Sequence, residues 1–114
     1  MTNKEYKNFD YVKFVDTLRA KSESVSYDLL HCMVGLAGES GEGLDMLKKH
    51  IWQGHPLNIT ELELELGDIL FYLTSACSNI GTDIPTIRKK NIDKLLKRYP
   101  NGEFKVERSI NRNG

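Results

Sequence analysis

An all-α fold, a bundle of four helices, is what this sequence predicts, and three observations carry the expectation. Apolar residues recur at helical spacing through most of the chain, with little strand signal, no repeat and no low-complexity tract. Capping and breaking residues stand at the ends of the periodic stretches. The one segment that alternates like a strand, ELELEL from Glu61 to Leu66, lies inside a longer stripe of Leu62, Leu66, Ile69, Leu70 and Leu73 at the helical period, and leucine and glutamate are good helix formers.

The first helix is predicted over about Asp10 to Lys21, where Tyr11, Phe14, Val15 and Leu18 share a face behind an aspartate suited to capping. A polar turn, KSESVS, leads to a longer helix over about Tyr27 to Trp52. QGHPLN then breaks the chain with glycine, proline and asparagine. Asn58 or Thr60 caps the third helix, which runs through ELELELGDILFYLTSACSNI to a helix-ending Gly81. Asp83 and Pro85 open the fourth, which stops near Tyr99 because Pro100 cannot continue it. From Asn101 the sequence is polar, with residues 105–114 read as a tail.

Size and charge bound the function. At 114 residues the chain is expected to be one domain over 1–114, small enough to gain from burying apolar surface against further copies of itself. Lysine plus arginine equals aspartate plus glutamate at 16 each, so no whole-molecule field points to nucleic acid or an anionic membrane. Cys32 and Cys77 sit apart in apolar neighbourhoods, as reduced core thiols do. MTNKEYKNFD lacks an apolar signal core and no run is long enough to span a membrane, so a cytoplasmic protein is expected.

The carboxylates carry the chemistry. With about 100° per residue on the second helix, Leu29, Leu30, Met33, Leu36, Ala37, Leu44, Leu47 and Ile51 gather on one broad face. Glu39 and Glu42 fall on the opposite side, one turn apart, with Asp45 adjacent. On the third helix Glu61, Glu65, Asp68 and Tyr72 form a second stripe at i, i+4, i+7 and i+11. A solvated helix face usually mixes signs, yet neither 39–45 nor 61–68 contains a lysine or arginine. Like charges this dense cost stability unless a cation neutralises them. Carboxylate oxygens suit magnesium or manganese, and without neighbouring Cys or His pairs zinc is disfavoured. Glu39, Glu42, Glu65 and Asp68 are therefore the candidate ligands for more than one divalent ion.

GLAGESGEG, Gly35 to Gly43, places four glycines inside the second helix. Each costs about 1 kcal/mol relative to alanine there, which is reasonable where a neighbouring helix or a polyphosphate approaches the backbone. The spacing fits neither the Walker pattern nor the dinucleotide fingerprint, and no strand precedes it. On the fourth helix Asn91, Lys94 and Arg98 share one face at i, i+3 and i+7, with Lys90 and Lys97 beside it. This is either a phosphate-contacting face or a solvated basic helix end. Trp52 is a packing residue or a base-stacking one, His31 lies near the acidic side of its helix, and Tyr72 continues the acidic stripe to order a ligand or cover a pocket.

GLAGESGEGLDMLKK, with Glu39-Ser-Gly-Glu42, followed by ELGDILFYL, with Glu65-Leu-Gly-Asp68, resembles the MazG-like branch of the all-α nucleoside triphosphate pyrophosphohydrolases. NIDKLLKRYPNGEF, from Asn91 to Phe104, is similar to that family's closing segment, so the resemblance covers about 27–104. It implies a helical bundle that forms homodimers or homotetramers and binds Mg2+. It also implies cleavage between the α and β phosphates of an NTP or dNTP, to a monophosphate and pyrophosphate. Glu39, Glu42, Glu65 and Asp68 would hold the metal, Glu39 or Glu42 would instead orient the attacking water, and Asn91, Lys94 and Arg98 would contact phosphates. Phosphoribosyl-ATP pyrophosphohydrolase is similar in fold and metal motif and is the nearest rival. A non-catalytic helical interaction module is the alternative outside the enzymes. A carboxylate-bridged di-iron bundle expects Glu-x-x-His on two helices, and here the only acidic residue three before a histidine is Asp28, before His31.

Overall fold

A computed structural model describes residues 1–102. Among these there are five helices and no strand: α1 (Asn3–Asn8), α2 (Tyr11–Leu18), α3 (Val25–Gln53), α4 (Ile59–Asn79) and α5 (Ile84–Arg98). The fold is all-α, as the periodicity predicts. The extra helix, α1, is a short one held by its Thr2 cap; it buries nothing, so no apolar period marks it. Phe104 and the tail at 105–114 lie outside the described residues. The chain divides into two units, one over 1–81 and one beginning at Thr82.

In the first unit every long helix begins at a side-chain cap. Asp10 accepts from the Lys13 N–H, Ser24 from Tyr27 and Asn58 from Glu61, each at 3.1 Å. Ser24 starts α3 at Val25, two residues before the expected Tyr27, because the turn's own serine satisfies the first N–H groups. Of the two candidates for α4, Asn58 is the cap, and ELELEL is helical throughout. Gly54 ends α3 in the left-handed region at φ 70°, its N–H donating to the Lys49 carbonyl.

α4 packs along α3 and also against α2. Val15, Cys32, Ala76 and Cys77 are the buried apolar residues among those described, and Thr74, Ser75 and Asp28 are buried with them. Both cysteines are buried thiols not joined in a disulfide, as expected. The Ser22 N–H donates to Asp28 Oδ2 at 2.8 Å, which ties the KSESVS turn to the first turn of α3. At this same end of the pair, Asn79 Nδ2 in the last turn of α4 donates to the Val25 carbonyl at 3.0 Å, as an antiparallel α3 and α4 require.

The face of α3 that meets α4 is not its leucine face. Cys32 and Gly43 are buried and Gly35, Leu36, Glu39 and Met46 half-buried, whereas Leu30, Met33, Leu44, Leu47 and Ile51 are exposed. Small residues on the first face let α4 come close. Glu39 is consequently carried inward with Glu42 at its exposed edge, and most of the apolar stripe is left uncovered within the first unit.

In the second unit Asp83 caps α5, accepting from the Thr86 N–H at 2.8 Å, with Pro85 in the first turn and Tyr99 as the C-cap after Arg98. No helix among the described residues is long and apolar enough to cross a membrane.

Candidate functional site

Glu39 and Glu42, one turn apart on α3, meet Glu65 on α4, and one oxygen from each lies within 4.8 Å of the others. Glu39 and Glu65 are half-buried and Glu42 is exposed. Glu39 Oε2 and Glu65 Oε2 are fully shielded from solvent and accept no hydrogen bond. A buried carboxylate oxygen without a donor is costly, so this arrangement calls for a shared proton or a bound cation. The proton's share is visible in Glu65, whose carboxyl is pushed up from 4.5 to about 7 by hydrogen bonding with Glu39, by burial, and by hydrogen bonding with and repulsion from Glu42 and Glu39. Three hard oxygen donors with room for further ligands on the exposed side of Glu42 fit a magnesium- or manganese-like ion.

Asp68, one turn beyond Glu65, is exposed and stands outside this group of three. Its charge is felt by Tyr11 on α2, whose phenol is raised first by burial and then by Asp68. Asp45 is answered locally: Lys49 Nζ lies 2.8 Å and Lys48 Nζ 3.3 Å from its oxygens, so the cations missing from 39–45 arrive just beyond it. A cavity of about 600 Å³ opens beside the glutamates, lined by Gly38, Gly41, Glu42, Asp45, Glu61 and Glu65 among others. At Gly38 and Gly41 the absence of a side chain leaves open space on the cavity side, consistent with an approach to the backbone.

His31 and Tyr72 come together across α3 and α4, their rings tilted with centroids 6.3 Å apart. They line a second cavity of about 220 Å³ with Arg19, Cys32, Phe71 and Ser75. Sequence reasoning missed Arg19, Phe71 and Ser75, for none belongs to a motif. Arg19 follows the last residue of α2, where it pairs with Asp16 at 2.7 Å. Burial raises the Cys32 thiol above its ordinary range. Trp52, 77 % exposed near the end of α3, contributes little packing within the chain. Asn91, Lys94 and Arg98 lie on α5 in the second unit, with the Arg98 guanidinium 5.9 Å from the Tyr99 ring centroid.

An all-α chain with inward-facing glutamates paired across two helices is of the kind that binds divalent cations through carboxylates. Comparison with known proteins narrows this. Residues 28–103 match the model of the MazG nucleotide pyrophosphohydrolase domain, and the chain belongs to that family. It is also similar to the Gene 37 protein of Mycobacterium phage L5, at 28% identity over 78 residues, covering 65% of this chain and 68% of that protein. No solved structure gives a significant match.

Proposed function

We propose that the protein hydrolyses a nucleoside triphosphate, NTP or dNTP, between the α and β phosphates, giving a monophosphate and pyrophosphate, with Mg2+ or Mn2+ as cofactor. The observation that carries this reading is the pair of buried, donorless oxygens on Glu39 and Glu65 beside Glu42, in a chain of the MazG family. Glu39, Glu42 and Glu65 hold the metal, and Asp68 on the next turn completes the set. The metal supplies neutralisation of phosphate charge and acidifies water. Glu39 or Glu42 orients the attacking water. Asn91, Lys94 and Arg98 contact phosphate oxygens, for which guanidinium and ammonium groups are suited. The smaller cavity lined by His31 and Tyr72 takes the nucleoside end of the substrate in this reading, supported by its position along the same two helices as the glutamates.

The working form in this reading is a cytoplasmic homodimer or homotetramer of one MazG-like domain over 1–114, without nucleic-acid or membrane partners. The uncovered stripe of Leu30, Met33, Leu44 and Ile51 supports a second copy as the occupant, since no other face of the first unit groups so many exposed aliphatic residues on one long helix. A screen of nucleotides with Mg2+, reading pyrophosphate directly, tests the activity. Orthophosphate as the direct product with every nucleotide rejects the assigned bond. Preference for phosphoribosyl-ATP over all triphosphates favours the rival enzyme, and no metal binding at millimolar concentration favours a non-catalytic module.

A further inference from the structure

A methyl group on Gly35 would overlap the Tyr72 ring, whereas on Gly38 or Gly41 it would meet nothing within 4 Å and on Gly43 only Leu62 Cδ1, in ordinary contact at 3.7 Å. Of the four glycines in the GLAGESGEG stretch, Gly35 is thus the one that a close approach requires. The aromatic ring that occupies the space is broad and rigid and cannot give way as a flexible side-chain end would. Tyr72 is held on its other sides too, edge-on to Phe71 with centroids 5.3 Å apart and tilted against His31.

The place of this contact gives it consequence. Along α3, His31, Gly35 and Glu39 follow at i, i+4 and i+8; along α4, Glu65, Asp68, Tyr72 and Ser75 follow at i, i+3, i+7 and i+10. The Gly35–Tyr72 contact therefore lies between the glutamate cluster and the 220 Å³ cavity that His31 and Ser75 line. From Glu39 to His31, or from Glu65 to Ser75, is about 12–15 Å along the helix axes. A ligand whose phosphates are held at the glutamates and whose other end enters the cavity meets Tyr72, which forms part of its wall.

We infer that Gly35 is a specificity-determining position: by seating the Tyr72 ring against bare backbone it sets how far that ring stands into the cavity it lines with His31, Cys32 and Ser75, and so which nucleoside end fits there. The inference rests on the proposed function. Gly35 is a positioning residue, acting through Tyr72 and not on the phosphates.

The test uses the full chain with Gly35→Ala, Tyr72→Ala and the double variant, a panel of NTPs and dNTPs with Mg2+, and inorganic triphosphate as a competitive inhibitor that has no nucleoside end. Gly35→Ala is expected to raise KM for the preferred nucleotide by about tenfold and reorder the bases, with the inhibition constant of inorganic triphosphate and the Mn2+ dissociation constant within about twofold of the parent. Added to Tyr72→Ala, it should cost less than about twofold more, because no ring remains to displace. If Gly35→Ala does not fold, Tyr72→Ala carries the test: its selectivity among bases should collapse while triphosphate inhibition persists. Unchanged selectivity in both single variants overturns the inference, as does a parallel loss of metal and triphosphate affinity or additivity in the double variant. A parent chain that is active beside unchanged variants defeats this inference alone, whereas a parent that releases pyrophosphate from no nucleotide defeats the proposed function and the inference with it.

Discussion

Glu39 and Glu65 face one another from α3 and α4, each with its Oε2 buried and without a donor. Their proximity makes the metal-free protein sensitive to pH in a defined direction. Unfolded, the Glu65 carboxyl loses its proton near 4.5, and folded it does so at about 7. Between these values the folded chain holds a proton that the unfolded chain does not, so stability contributed by the protonated form is lost as pH rises from 4.5 towards 7. A metal ion held by the three glutamates, as proposed, would compete with this proton. We expect the metal-free melting temperature to fall across this window and the stabilisation by Mg2+ to grow across it. Thermal melts between about pH 5 and 8, with and without MgCl2, check both; a metal-free melting temperature that climbs through the window contradicts the assignment.

Glu42→Gln removes one charge from the cluster while keeping the side chain's shape. It should abolish pyrophosphate release and leave the metal-free melting temperature equal or higher, because repulsion falls. Ligand at ten times its dissociation constant adds about 1.4 kcal/mol per site, a rise of a few degrees for a chain this size, and the variant should show less of it. Full activity with an unaltered Mg2+ response would remove Glu42 from the site.

The four longer helices were legible, as α1 was not, because their signals are local: caps at Asp10, Asn58 and Asp83, a breaking glycine at Gly54, and Pro85 and Pro100 at the two ends of α5. Glu39, Glu42 and Glu65 were legible because spacing puts Glu39 and Glu42 one turn apart and because unmixed negative charge needs an explanation. The direction in which those stripes face was not. Hydrophobicity alone turns the leucine face of α3 inward, but the small residues at Cys32, Gly35 and Gly43 let α4 approach on the other side. The second cavity was invisible for another reason. Arg19 comes from the C-cap of α2, His31 from α3 and Ser75 from α4, and no periodicity within one helix reports a meeting of three.

If Lys94 meets phosphate as proposed, Lys94→Ala should raise KM for the nucleotide by about tenfold with little change in the Mn2+ dissociation constant, since an ammonium group suits phosphate and not a cation. Arg98→Ala should behave alike. Equal activity of variant and parent through a substrate titration shows instead that this face is solvated.

The exposed stripe on α3 makes a separate prediction about assembly. Leu30, Met33, Leu44 and Ile51 are 59%, 53%, 67% and 64% exposed, on a helix whose opposite side already meets α4. Covering four such side chains contributes about 6–12 kcal/mol per protomer when each counts for about 1.5–3 kcal/mol, before the entropy of association is subtracted. Two protomers together supply at most about 12–24 kcal/mol, and after an association cost of about 4–15 kcal/mol the balance is comparable with the about 8 kcal/mol that a micromolar complex needs. Light scattering should therefore give a mass of at least two chains of 13.0 kDa. Leu44→Glu combined with Ile51→Glu places two charges on the stripe, on the side of α3 away from Glu39, and should shift the mass to a single chain. The helical circular dichroism signal should be largely kept, because α3 still packs on α4. A parent that is monomeric at every concentration, or a double variant that still associates, would show that copies of this chain do not meet through the leucine face.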